Sequence, residues 1–154
     1  MNDPRFFFIE SAIIEAVKKL LTGPMNELFG TLDSFIPSIE FSKYSGSGVV
    51  IPKITINACE QTEKERLILL NAYSLSITFN LPDLPDGELY TFVYCCAADK
   101  VFRENPTLYG TVNRIALTRS DIIPPKLRSC GDDWRVVLTL RVTVEGTIYA
   151  CTWA

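Results

Sequence analysis

Phe6, Ile9, Ile13, Ala16, Val17 and Leu20 recur every three or four residues, the spacing that lays an apolar stripe along one side of a helix. Residues 4–21 are therefore predicted as the first helix, with Glu10, Glu15, Lys18 and Lys19 mainly on its solvent side. Asp3 can cap its start and Pro4 suits the first helical position. Thr22-Gly23-Pro24 reads as a stop, since glycine accepts a left-handed cap and proline cannot continue a helix. The period then switches to two. Ile54 and Ile56 alternate with Thr55 and Asn57, and Tyr73, Leu75, Ile77 and Phe79 alternate with Ser74, Ser76, Thr78 and Asn80, as in strands with one buried face. The cleanest alternation comes late, with Trp134, Val136, Leu138, Leu140, Val142 and Val144 inward and Arg135, Thr139, Arg141, Thr143 and Glu145 outward. A slip of one residue would expose every core side chain, so the pairing is well specified. Gly146 is expected to turn the chain toward a short tail, 148–153.

Between the first two strands, residues 60–66 are charged and long enough to form the extended tip of a hairpin. Breakers at 80–87 end the second strand, and Asp86 can cap a second helix that runs to about Glu104. This helix is apolar nearly all round. Leu89, Phe92, Val93 and Cys96 occupy one side and Tyr90, Tyr94, Ala97, Ala98 and Val101 another, so it should meet two neighbours. Packing of both sides within one domain, against the sheet and the first helix, is favoured over a subunit contact. Residues 107–119 follow, with a strand running through Arg119 and Ile115 and Leu117 in the core, then a loop rich in proline, glycine and aspartate. Residues 24–48 mix apolar anchors with breakers and read as a loop holding a short strand near 39–41. The order of elements implies a single α+β domain over 1–154, a mainly antiparallel sheet with two helices packed on one face.

The 154 residues are 47% hydrophobic and 21% charged, which is ordinary for a globular domain able to bury roughly 70% of its unfolded surface. Net charge is −3 and the cations are scattered, so the basic stripe of a nucleic-acid binder is missing. The run Phe6-Phe7-Phe8-Ile9 stops at Glu10 with no small-residue cleavage site, so no signal peptide is expected. No stretch approaches the roughly 18 apolar residues of a membrane span, and a soluble protein is expected. Five cysteines without framework spacing point to reduced thiols in a cytoplasmic compartment, with Cys59, Cys95 and Cys96 as small buried hydrophobes.

Chemistry is sparse. There are no histidines, which removes the commonest general base, the usual triads and most metal sites. No glycine-rich phosphate loop and no Cys-x-x-Cys occurs. Asp83, Asp86, Glu88, Asp132 and Asp133 could pair as acid and base on paper, yet all sit in predicted turns or caps, where acidic residues serve the backbone. No catalytic residue, cofactor or metal is assigned. The run containing Glu63, Lys64, Glu65 and Arg66 is either an exposed tip or an arm that pairs with a neighbouring subunit. Arg135 and Arg141 could present guanidinium forks across an interface, and Tyr90 and Tyr94 are candidates for the same surface.

Asn105-Pro106-Thr107-Leu108-Tyr109-Gly110-Thr111-Val112, with the strand that follows and the 134–145 strand, resembles the tail terminator and tail completion proteins of long-tailed bacteriophages. The likeness covers most of the chain at the level of element order: an apolar helix, two strands, a second helix ending in a short turn, and two closing strands. It implies a homo-oligomeric ring, usually of six subunits, that caps the tail tube, stops its polymerisation and meets the head connector. Its partners would be further copies of itself, the tail tube protein and the head-tail connector protein, with no membrane and no sequence-specific nucleic acid. It implies the host cytoplasm during assembly and then the virion tail. The outward strand face and the loops 60–66 and 121–133 would then be contact surfaces, and the mild negative charge suits a pore through which DNA slides. Two other readings stand beside it. One is a binding module holding an apolar ligand near Phe79, Phe92 and Tyr94; the other is an enzyme using carboxylates or a thiol such as Cys130 beside Arg128.

Overall fold

The computed structural model describes residues 4–32, 36–41, 49–65, 68–81, 86–125 and 133–147; within these, side chains are not described for 4–8, 60–65, 68–69 and 146–147. The chain opens with helix α1 (Pro4–Leu20). Ile13, Ala16, Val17 and Leu20 are buried, as their spacing predicts, and Ile9 packs against the same cluster. The side chain of Phe6 lies outside the described set.

The expected stop at Thr22-Gly23-Pro24 does not end the helix. The chain passes through a wide π-type turn (Leu21–Met25) with Pro24 inside it and continues as α2 (Asn26–Leu32). Proline lacks an N–H and clashes with the carbonyl four residues back; a wider turn relieves that clash locally. The Thr22 hydroxyl donates to the Lys18 carbonyl at 2.8 Å and the Asn26 amide to the Thr22 carbonyl at 3.1 Å, supplying donors around the wide turn. The gain is burial: Leu21, Met25 and Phe29 follow at four-residue spacing and are all at most 2% exposed. Tertiary packing thus overrides the local stop signal.

Beyond α2 come two short strands, β1 (Ser38–Ile39) and β2 (Val49–Val50), paired in parallel. The side chain of Asn26 ties β1 to the helical layer. Its Nδ2 donates to the Ile39 carbonyl and its Oδ1 accepts the Ile39 N–H, each at 2.8 Å, so one amide satisfies both backbone groups of a fully buried residue.

The main sheet consists of β3 (Lys53–Glu65), β4 (Ile68–Leu81), β5 (Arg114–Ile123) and β6 (Trp134–Thr147) in the order β3-β4-β6-β5. Every neighbouring pair is antiparallel. The charged 60–65 stretch is the far part of the β3–β4 hairpin, still paired through Glu65 opposite Ile68. The alternation in β4 and β6 holds: Tyr73, Leu75, Ile77 and Phe79 are buried together with Val136, Leu138, Leu140, Val142 and Val144. Gly146 does not turn the chain. It stays in β6 opposite Leu69, with Thr147 opposite Ile68, because a central strand with a waiting partner keeps its ladder. The tail 148–153 lies outside the described residues.

Helix α3 (Gly87–Glu104) connects β4 to β5. Asp86 precedes it without a side-chain cap; the first helical bond runs from the Tyr90 N–H to the Asp86 carbonyl at 3.0 Å. The core is completed by Phe29, Phe79 and Tyr94, whose rings meet at centroid distances of 4.6 Å (Phe29 to Tyr94) and 5.1 Å (Phe79 to Tyr94). The helices on one face and the mainly antiparallel sheet make this an α+β fold.

Residues 106–113 form a turn, as expected for the short turn at 107–110 after the second helix, and β5 begins only at Arg114. Leu108, Tyr109 and Gly110 have φ of 47°, 59° and 82°, so three successive residues sit in the left-handed region. For a side chain other than glycine that costs about 1–2 kcal/mol per residue. Burial of Leu108, which is 0% exposed, offsets a similar amount. The turn is held by Thr111 N–H to Leu108 carbonyl (3.1 Å), Val112 N–H to Thr107 carbonyl (3.1 Å) and Ile115 N–H to Pro106 carbonyl (2.7 Å).

Candidate assembly surface

Two open surfaces follow from this architecture. One is the polar face of the sheet, opposite the helices. Cross-strand partners share a face, so the register places Arg135 beside Asn80 and Ile123, Thr139 beside Ser76 and Arg119, Arg141 beside Ser74 and Ala116, and Thr143 beside Ala72 and Arg114. Arg135 and Arg141 are both exposed and stand six residues apart, about 20 Å along the strand. Arg119 bonds Asp121 through Nε at 2.9 Å, an exposed pair that contributes about 0–1 kcal/mol.

The other open surface is the outer side of α3. Both apolar sides of this helix were expected to pack within the domain, and only one does. Leu89 and Phe92 are 58% and 53% exposed, while Val93 is partly buried against the core. The sheet is four strands wide and leaves room for only one side of α3; the helical layer that begins with α1 reaches it through the π-type turn, on the buried side.

The sequence candidates separate accordingly. Tyr90 and Tyr94 are corrected to core positions at 6% and 0% exposure. The Tyr94 hydroxyl donates to the Pro37 carbonyl, and burial pushes its ionisation well above the usual tyrosine range. Neither ring offers surface to a second chain. Glu63, Lys64 and Glu65 belong to edge strand β3 by their backbone, their side chains lying outside the described set, and Arg66 lies outside the described residues. Of the 121–133 loop, residues 121–123 are strand β5 and 126–132 lie outside the described residues.

The thiols also differ from expectation. Cys59 and Cys96 are exposed and Cys95 is half-buried; a bulge between Ala58 and Glu60 leaves Cys59 without a ladder partner. Burial, then Cys96, then Asp121 raise the Cys95 thiol above its ordinary range. Cys130 and Cys151 lie outside the described residues. So do Asp83 and Asp132, while Asp86, Glu88 and Asp133 are exposed at the starts of α3 and β6. Among the described residues no three potential metal ligands gather, and no helix is long and apolar enough to cross a membrane.

Sequence reasoning missed Arg114, which borders an open groove of about 300 Å³ between the end of α3 and β5, with Phe102, Arg103, Pro106 and Leu117. Arg103 is paired there with Asp99. The parity of β5 was unreadable beyond Leu117 because a bulge between Leu117 and Arg119 resets it; the only hint was the polar run from Thr118 to Asp121. Neither a known protein family nor a curated protein sequence matches the chain.

Proposed function

We propose that this protein is a structural subunit of a phage or prophage tail, which assembles into a ring on the end of the tail tube, ends its polymerisation and offers the head-joining surface. The reading rests on the order of elements. Helical layer, long hairpin, α3, a tight turn at 105–112 and two closing strands follow the sequence that the tail-terminator resemblance implies. The exposed Leu89 and Phe92 on α3 support it as well, since apolar side chains side by side on a solvent-facing helix suit burial against another protein.

The alternative of an apolar ligand held between sheet and α3 requires space near Phe79, Phe92 and Tyr94. Phe79 and Tyr94 are in ring contact there, and Phe92 lies on the outer side of α3, so the packing favours the assembly reading.

Electron microscopy of the protein mixed with its tail tubes tests the proposal. Rings confined to tube ends, and tubes that stop growing when the protein is added, are the expected result. Binding scattered along tube sides, or none, would defeat it.

A further inference from the structure

We infer that the two outer edges of the sheet are docking surfaces for each other, with β3 of one copy adding beside β5 of the next so that the sheet continues from subunit to subunit. This rests on the assembly reading and specifies the contact that would build the ring. Among the described residues no strand pairs with the outer side of β3 or of β5. An edge strand presents backbone N–H and C=O groups that can take a further strand. Because each neighbour in the order β3-β4-β6-β5 is antiparallel, β3 and β5 run in opposite directions. A second copy rotated about an axis along the strands therefore brings its β3 alongside β5 in the antiparallel sense, the better hydrogen-bonding arrangement. Repetition of such a head-to-tail contact gives a ring where the rotation between copies closes and an open filament where it does not.

The register supplies the charge match. Glu60 is opposite Ala72, Ala72 opposite Thr143, and Thr143 opposite Arg114, so Glu60 and Arg114 occupy one level on opposite edges. By the same route Lys53 is opposite Thr78, Thr78 opposite Val137, and Val137 opposite Asp121. When copies meet without a shift along the strands, Glu60 is level with Arg114 and Lys53 with Asp121, whose carboxylate also takes Arg119 Nε of its own strand, so the Glu60–Arg114 level carries most of the match. A slip of two residues one way sets Lys53 level with Arg119, and the other way sets it level with Ile123 and Glu60 with Ala116. Both slips lose both matches, so charge selects the unshifted contact.

Each edge carries a bulge, between Ala58 and Glu60 and between Leu117 and Arg119. Bulges discourage indiscriminate strand addition and leave the charge levels to choose the partner. The Ile115 N–H is already taken by the Pro106 carbonyl, so backbone pairing falls on residues 117–123 and Arg114 contributes its charge alone.

The test is a charge exchange read by sedimentation velocity. Wild-type protein should self-associate with rising concentration, and E60R and R114E should each weaken that association about tenfold. An equal mixture of the two should regain it, because in alternation every contact again joins opposite charges. K53E and D121K form a second pair, used if circular dichroism shows that a member of the first does not fold. A wild-type chain that stays monomeric at every concentration, folded single variants that associate like wild type, or a mixture that does not recover would each overturn the inference. Folded single variants that still form rings on tube ends would sink the edge contact and leave the tail reading standing. Recovery in the mixture without binding to tube ends would do the reverse.

Discussion

On its inner side α3 presents Tyr90, Tyr94, Ala97, Ala98, Val101 and Phe102 to the sheet and to the helical layer before it, all at most 6% exposed. On its outer side Leu89 and Phe92 remain more than half exposed. The two sides are similar in residue type, so hydrophobicity alone does not explain the difference. The inner side is buried because it meets partners brought from far along the chain: Phe29 from α2, Phe79 from β4 and the Pro37 carbonyl. The outer side has no such partner among the described residues. One side therefore carries the stability of the fold, and the other is free to carry a contact.

The difference should be plainest in stability. Tyr94→Ala, which removes the ring at the centre of the aromatic cluster, should lower unfolding free energy by about 3–5 kcal/mol, measured by denaturant titration. A loss under about 1 kcal/mol would mean that the cluster does not anchor the inner side. Asn26→Ala should cost about 2–3 kcal/mol, because the Ile39 N–H and carbonyl both lose their partner in a part-buried setting. Hydrogen exchange at Ile39 should rise at the same time.

Tyr94→Phe keeps the ring and removes one donor, and should cost about 1 kcal/mol at neutral pH. It should also change the alkaline limb of stability. Burial raises the Tyr94 ionisation in the fold above its ordinary value of 10.0. The resulting stabilisation is complete below that value and is lost as pH rises above it, where the unfolded chain releases the proton and the folded chain holds it. Wild type should therefore lose stability more steeply than Tyr94→Phe above about pH 10; equal slopes would show that the hydroxyl is not held protonated by the fold. The smallest effect belongs to the outer side. Phe92→Ser should move stability by no more than about 0.5 kcal/mol while reducing attachment to tube ends. A large loss of stability would mean that the outer side is packed after all, and the comparison would collapse.

The same contrast explains how far the sequence could be read. Strands β4 and β6 were legible because strict alternation is a local property that their neighbours reinforce; each is central and paired on both sides. Helix α3 was legible in extent, from the breakers before it and Asn105-Pro106 after it. The helix through Pro24 was not, because Leu21, Met25 and Phe29 are rewarded by contacts far away in sequence. The turn at 107–110 was legible, but the left-handed backbone of Leu108 and Tyr109 was not, because at leucine and tyrosine it has no compositional signature. Of the candidate surface, the outward arginines of β6 followed from alternation. With Ile115 and Leu117 inward Arg114 also falls outward, but beyond Leu117 the bulge resets the parity of β5, so the outward place of Arg119 and Asp121 was not legible.

By itself the chain determined the extent of α3 and the inward residues of the central strands, because periodicity and chain breakers act over a few residues. The fold decided which side of α3 is covered, that Tyr94 is core, and that Glu60 and Lys53 stand level with Arg114 and Asp121 across the sheet. Those outcomes depend on register and on which distant segments arrive, and both are set only when the whole chain packs.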